Sequence, residues 1–445
     1  MPHRFKKIIF LGGDIGVLHL ALALTLFIRY RLIDGVRDLS PFWRGHWPYF
    51  IGVFLIFLLV FYINSLYSLR QMVKTRAFIR RSVNSVIAAT LIAMIYFYIN
   101  PRVDIAPKTN LVIFAAIALI GFIIWRRLAY RLINKRSWQN NIAIIGDGEQ
   151  AQTLAEDLKK RPELGYCAAL LVRNLEELKA LEEDIRQKNI RTIILIDDLD
   201  AAAILHQALF TLLRHKVNFI SYSDFYEQIN ESIPIENIQQ NWFLENLQEA
   251  EKNYFDFFKK CGDFFGAACL LIISLPAWPF IAFIIKLDSR GSVIFIQDRV
   301  GQNGELFRLY KFRTMRGGDD PAKTASENEK RITAIGRWLR ASRLDEIPQL
   351  LNILKGEMSF IGPRPEKPEL SAELRKQVPF YDTRLLIKPG LSGWDQVSGE
   401  YHSSTPDDTW KKLQHDLYYI KHRSLYLDFV IILKTIATIL AREGR

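Results

Sequence analysis

The chain has 445 residues, 49% of them hydrophobic and 24% charged, with three cysteines; that excludes a disordered tail, a disulfide-stapled secreted module and a small one-core domain. A net charge of +12 raises the question of nucleic acid, but the charges are unevenly spread: 19 basic and 4 acidic side chains in residues 1–140, 10 and 20 in 141–251, 30 and 23 in 252–445. The basic excess belongs mainly to the most apolar third, which is a membrane pattern and argues against nucleic acid.

Four apolar runs, at 8–28, 49–67, 83–99 and 111–125, fit the length of about 20 residues that a helix needs to cross a bilayer. They predict a four-span helical bundle over residues 1–138. The first run is longer than the roughly 7–15 residues of a signal-peptide core and no small-x-small site follows it, so it is expected to stay as a span. Lys and Arg in the short connections, summed over alternate sides, number 13 against 6. The positive-inside rule then places the N-terminus and everything after residue 126 in the cytoplasm. Asp14, near the first end, is the one acid within these runs, which favours an anchor over a transport path.

Residues 139–250 are expected to form a cytosolic, Rossmann-like α/β domain. NIAIIGDG, CAALLV, TIILIDD and VNFISY read as strands, alternating with helices at 149–160, around 175–188 and at 200–215. Gly146-Asp147-Gly148 followed by Ala151 approximates a phosphate-binding glycine turn. The second strand, however, ends Val172-Arg173-Asn174 without the acid a ribose needs, and Asp147 would repel phosphate, so a structural or regulatory domain is the default.

Residues 264–285 are again a run of 22 apolar or small residues. Pro276 and Pro279 should break a helix in its middle, with Ser274 placed to help satisfy the freed backbone. Lys259, Lys260 and Lys286 at both flanks favour a re-entrant helix-break-helix over 264–286 with both ends on the cytoplasmic face; an ordinary kinked span is the alternative.

Beyond it, two β-like runs flank Asn303-Gly304, a hairpin signal. The second run carries Arg308, Lys311 and Arg313, a solvated strand edge or a set of phosphate-binding cations. Asp345 and Glu346 then stand just before Pro348, at the start of a helix predicted to end at Gly356. Alone, they fit an N-cap with a first-turn acid as well as a site for a hard divalent cation. Arg340 and Arg343 just upstream, and Arg364 between two prolines downstream, turn the balance toward phosphoryl transfer, where aligned charges supply most of the catalysis. The last stretch, SLYLDFVIILKTIATIL, reads as an amphipathic helix on the membrane or core. Three free thiols are expected, and the eight histidines lack ligand spacing.

The strings YKFRTM, LRASRLDEIPQLLNILKGEMSFIGPRPE and KPGLSGWDQVSG resemble the signature of bacterial sugar transferases, the large monotopic phosphoglycosyl transferases, over about residues 251–445. The four spans and middle domain resemble the family's longer members, which start exopolysaccharide, capsule or O-antigen repeat units. The resemblance implies a mixed α/β monotopic catalytic domain that transfers a sugar 1-phosphate from a UDP-sugar to undecaprenyl phosphate, releasing UMP with Mg²⁺. It implies Asp345 as nucleophile, Glu346 as its dyad partner and Asp416 as a further catalytic acid. Lys311, Arg340 and Arg364 become phosphate-binding residues, and Asp345 and Glu346 the metal site. Glucose is the first choice of sugar; galactose, an N-acetylhexosamine, or a non-catalytic scaffold of the polysaccharide machinery are the alternatives. The expected location is the bacterial inner membrane, with a homodimer among the expected assemblies. The family's re-entrant helix carries a Ser-Pro break, whereas here Leu275 separates Ser274 from Pro276.

Overall fold

The computed structural model describes residues 3–64, 66–67, 75–99, 107–133, 139–146, 149–173, 182–196, 210, 212–238, 240–247, 252–316, 331–398 and 405–441. They fall into two compact units, Met1–Phe225 and Tyr226–Arg445.

In the first unit the four apolar runs are helices α1 (His3–Leu26), α2 (Ser40–Ile63), α3 (Thr75–Ile99) and α4 (Pro107–Ile133), and each contains a stretch long and apolar enough to cross a membrane. Their inner faces are aromatic: Phe10, Phe50, Phe57, Phe61, Phe114 and Phe122 are fully buried, with Phe50 edge-on to Phe114 at 5.3 Å. Aliphatic side chains such as Leu55, Leu91, Ile95, Ile120 and Ile124 point outward, as helices dissolved in hydrocarbon require. One expectation needs correction. The fourth span does not end at 125 with Arg126 as a flanking cation: α4 continues to Ile133, and Arg126 is 2% exposed. Its guanidinium pairs with Asp14 and lies 4.7–4.8 Å from the rings of Phe10, Tyr67 and Phe122. Taking an arginine out of water is tolerable only with such a counter-ion and ring faces around it. Gly13 of α1 makes the approach feasible, since a Cβ there would sit 1.9 Å from the indole of Trp125.

The rest of this unit is a four-stranded parallel sheet in the order β2-β1-β3-β4, from β1 (Asn140–Ile145), β2 (Tyr166–Val172), β3 (Thr192–Leu195) and β4 (Asn218–Ser221). Its strands coincide with the four apolar runs read as strands, and helix α5 (Glu149–Lys160) buries Ala151, Leu154 and Leu158. Asp147 and Gly148 of the glycine turn, the start of the charged helix and most of the helix expected at 200–215 lie outside the described residues.

In the second unit, after a short helix at Gln240–Asn246, come α6 (Asn253–Ser274), a single 3-10 turn (Leu275–Ala277) and α7 (Trp278–Asp288). Where a break is expected, the two prolines tighten the helix for one turn while the backbone stays right-handed, with Leu275 at φ −49° and Trp278 at φ −59°, and Asn253–Asp288 as a whole is long and apolar enough to cross a membrane. Ser274 serves both sides of the junction: its hydroxyl donates to the Leu271 carbonyl at 3.0 Å and accepts the Trp278 indole N–H at 3.3 Å. One face of this long element is core: Ala267 packs with Leu350, Ile353 and Met358, and Ile281 and Ile285 with Phe312 and Leu339. The other leaves Phe258, Phe265, Ile272, Ile273, Phe280, Phe283 and Leu287 exposed, a run of large apolar side chains of the kind that marks a contact with membrane or protein.

The hairpin follows as β5 (Ile294–Val300) and β6 (Leu306–Phe312), antiparallel, with Asn303 and Gly304 both at positive φ. Next come α8 (Ala334–Ala341), a 3-10 turn (Leu344–Gln349) running into α9 (Leu350–Lys355), and a two-stranded parallel ribbon of β7 (Ser359–Ile361) and β8 (Gly390–Ser392). Helices α10 (Pro368–Gln377), α11 (Pro406–His422) and α12 (Leu425–Ala441) complete the unit. Residues 233–238 cluster here, Ile233, Ile235 and Ile238 packing with Leu374, Leu413 and Leu417. In α12, Asp428 is buried against Lys259 and Tyr419, while Leu425, Phe429, Ile432 and Ile436 form an exposed apolar stripe.

The β7–β8 ribbon is unusually close. A Cβ on Gly390 would stand 2.1 Å from the Gly362 nitrogen and 2.6 Å from its oxygen, both backbone atoms that cannot swing away. Gly390→Ala should cost about 2–3 kcal/mol, seen as a fall of roughly 5–10 °C in the unfolding midpoint of the membrane-reconstituted protein. An unchanged midpoint would show that the ribbon opens freely.

Candidate active site

The acidic pair sits at a local irregularity. Thr333 caps α8, its hydroxyl accepting the Gly336 N–H at 2.9 Å. The helix then ends and Arg343 adopts a left-handed conformation at φ 57°, a backbone state that costs a non-glycine residue energy. That reversal starts the 3-10 turn of Leu344–Gln349, so Asp345 and Glu346 lie in a tight turn ahead of α9 instead of in an α-helical first turn; α9 ends at Gly356 in the left-handed conformation, as expected. Asn352, fully buried, ties this element to the hairpin: its Nδ2 donates to the Arg308 carbonyl at 2.6 Å and its Oδ1 accepts the Tyr310 N–H at 3.2 Å.

Three cations from three elements converge on one oxygen. Lys311 Nζ of β6, Arg364 Nη2 of the loop after β7 and Arg343 Nη1 lie 3.4, 3.4 and 3.5 Å from Glu346 Oε1. Burial alone would raise the Glu346 pKa, but Lys311, Arg364 and Arg343 outweigh it and hold the carboxyl down at about 2. Asp345 shifts the other way. Burial and the neighbouring Glu346 charge raise its pKa, against the pull of Lys311, Arg340 and Arg343. Its Oδ1 is buried without a hydrogen-bond partner, which is rare for a carboxylate and typical of a group with a task.

A small cleft opens beside Glu346, lined by Arg299, Lys311, Glu346, Gln349, Arg364 and Gly390 among others; Asp345 is not among its lining residues. Arg340 is held back by its Nε bond to Thr314 Oγ1 at 2.9 Å, within electrostatic reach of Asp345. Arg308 faces away: it is three residues from Lys311, so the period of two puts them on opposite sides of β6, and it pairs in register with Asp298. Asp416 is also set apart from the pair. Its Oδ2 accepts from Arg384 Nε at 3.1 Å; burial, countered by Arg384, pushes its pKa up to about 7. Arg299 and Arg384 were not singled out from the sequence. Arg299 Nη1 donates to the Pro365 carbonyl at 3.1 Å, and its only sequence cue is a basic residue on the first hairpin strand.

Among the described residues no group of three or more His, Cys, Asp or Glu gathers as a metal cage. The donor set suits a cation such as Mg²⁺ only in its usual mode, one or two carboxylates plus substrate phosphates, and the unpartnered Asp345 oxygen fits that mode.

An ionised acid fixed by cations, next to a desolvated acid with an unpartnered oxygen, in a domain bearing an exposed apolar face, is an arrangement suited to phosphate groups. Residues 254–442 match the bacterial sugar transferase family, and the chain belongs to that family. A UDP-glucose:undecaprenyl-phosphate glucose-1-phosphate transferase of Escherichia coli K12 is 25% identical over 94% of this chain and 88% of its own length. One of the same name from Caulobacter vibrioides is 36% identical over 42% of this chain and 72% of its own length. A UDP-N-acetylgalactosamine-undecaprenyl-phosphate N-acetylgalactosaminephosphotransferase of Aeromonas hydrophila is 43% identical over 42% of this chain. The chain spans less than half of that last relative, 45% of its length.

Proposed function

We propose that this protein transfers a sugar 1-phosphate, glucose 1-phosphate first among the candidates, from a UDP-sugar to undecaprenyl phosphate with release of UMP. The observation that carries the reading is the buried Asp345 carboxyl with an unpartnered oxygen, beside a Glu346 kept ionised by three cations. The choice of glucose rests on the E. coli relative, which aligns along 94% of the chain.

In this reaction an Asp345 oxygen attacks the β-phosphorus of the donor. The bond from that phosphorus to the bridging oxygen breaks, and UMP departs with the electron pair, leaving the sugar phosphate on the aspartate. A phosphate oxygen of undecaprenyl phosphate then attacks the same phosphorus and frees Asp345, giving the diphosphate-linked lipid. Lys311, Arg340 and Arg364 hold the phosphate oxygens in line. Asp345 and Glu346, with the donor's phosphates, would hold Mg²⁺, which supplies neutralisation of phosphate charge. Glu346 stays charged throughout and keeps Lys311 and Arg364 in place.

The acceptor is a long polyprenol phosphate, so the site belongs at the membrane plane. The exposed apolar faces of α6, α7 and α12 support a re-entrant seating of residues 264–286 in one leaflet, with the site on the cytoplasmic side, where the UDP-sugar is available.

The test is purified protein in lipid nanodiscs with undecaprenyl phosphate and a panel of UDP-glucose, UDP-galactose and UDP-N-acetylhexosamines. UMP is the expected product, fastest from UDP-glucose. UDP as product would assign an ordinary glycosyltransferase, and no nucleotide product from any donor would leave the scaffold reading.

A further inference from the structure

The Pro363–Glu366 loop is held from behind by buried side chains that do not line the dyad's cleft. Arg384, in the 3-10 turn of Tyr381–Leu386, has a side chain only 4% exposed, and every nitrogen of its guanidinium has a protein partner. Nε and Nη2 lie 3.1 and 3.0 Å from Asp416 Oδ2, Nη1 donates to the Tyr381 hydroxyl at 3.1 Å, and Nη2 donates to the carbonyl of Arg364 at 3.0 Å. Asp416, on α11, is 2% exposed. The Arg364 side chain, on the far side of that same residue, meets Glu346. One chain of contacts thus runs Asp416, Arg384, Arg364, Glu346. An acid so buried and so engaged is badly placed to touch a diphosphate, yet well placed to decide where an arginine points.

Building on the reaction proposed above, we propose that Asp416 and Arg384 are positioning residues for donor binding: Asp416 orients the Arg384 guanidinium, which fixes the Arg364 backbone and so aims the Arg364 side chain at the donor's phosphates. This replaces the role at the reacting atoms that the family resemblance implies for Asp416. Buried groups that orient a ligand-binding residue typically matter by about 10–100-fold, and groups acting through one another are not additive.

The experiment is a set of variants of the full chain in nanodiscs: Asp416→Asn, Arg384→Lys, Arg364→Ala and the pairwise combinations. UMP release is measured against both donor and acceptor concentration, and UDP binding by calorimetry. Arg384→Lys keeps a cation for Asp416 but cannot also reach the Arg364 carbonyl; its thermal unfolding is measured beside its kinetics, and the kinetic change is read from the fraction that stays folded at the assay temperature. The expected result is a rise of about 10–100-fold in donor KM for each single variant, weaker UDP binding, and an unchanged acceptor KM. Asp416→Asn should then add less than about threefold once Arg364 is alanine. The proposal is overturned if Asp416→Asn costs its full factor in the Arg364→Ala background, or if Arg384→Lys binds UDP and turns over like the parent. Should the parent release no UMP from any UDP-sugar, the proposed reaction fails, while the UDP-binding cycle still decides whether the coupling exists. If Asp416→Asn does not fold, the cycle of Arg384→Lys with Arg364→Ala decides it.

Discussion

Asp345→Asn is expected to lower UMP release from the UDP-sugar by at least about 10³-fold, because an amide oxygen neither attacks phosphorus at a useful rate nor leaves from it. The substitution changes almost no volume, and Asp345 is 7% exposed with its pKa raised chiefly by burial. A neutral amide is therefore no worse accommodated than the acid it replaces, and thermal unfolding and membrane association should stay at the parent's values. That separation makes the result diagnostic, since collapse of activity with an intact fold points to chemistry at residue 345. A second signature is independent of the acceptor: radiolabelled UMP should exchange into UDP-sugar in the parent without lipid phosphate, and not in Asp345→Asn. Activity within tenfold of the parent would remove the nucleophile assignment. Exchange missing from an active parent would favour a direct displacement in one step.

What could be read from the sequence were features with a short-range cause. The apolar runs mark the four N-terminal helices, each long and apolar enough to cross a membrane, and the apolar β runs fall on the four strands of the parallel sheet. Asn303-Gly304 announced the hairpin because few other pairs accept two positive φ values in succession. The acidic pair was legible through its cationic surroundings at 340, 343 and 364. The failures are long-range. Asp14 and Arg126 are 112 positions apart, so a charge that looked like a cytoplasmic flank is part of the bundle interior. Arg384 and Asp416 are 32 apart, and nothing local distinguishes this arginine from its exposed neighbours. Arg308 and Lys311 looked like one set because both are basic; pleating separates them. The form of the dyad's turn was hidden as well, because the left-handed Arg343 reflects tertiary constraint and carries no propensity signal.

Glu346→Gln combines a stability effect with a kinetic one, and both have a definite sign. The folded-state pKa of Glu346, about 2, lies below the ordinary carboxylate range, so its charge contributes stability that is fully present above the unfolded pKa and is lost as pH falls toward 2. Glutamine removes that contribution at neutral pH and leaves Lys311, Arg343 and Arg364 facing one another around an uncharged group. Breaking such a buried set costs about 3 kcal/mol or more, and the unfolding midpoint at pH 7 should fall accordingly. The pH–rate profile moves independently of that loss. In the proposed reaction Asp345 must be ionised, so the rate drops on the acid side through its pKa, which burial first and the Glu346 charge second hold above the usual range. Deleting the Glu346 charge withdraws the second cause, and the remaining cations pull further in the same direction. The acid limb of single-turnover UMP release should therefore shift to lower pH in Glu346→Gln even as the maximal rate falls. An acid limb that moves to higher pH, or stays in place, would mean that the ionisation controlling the rate is not that of Asp345.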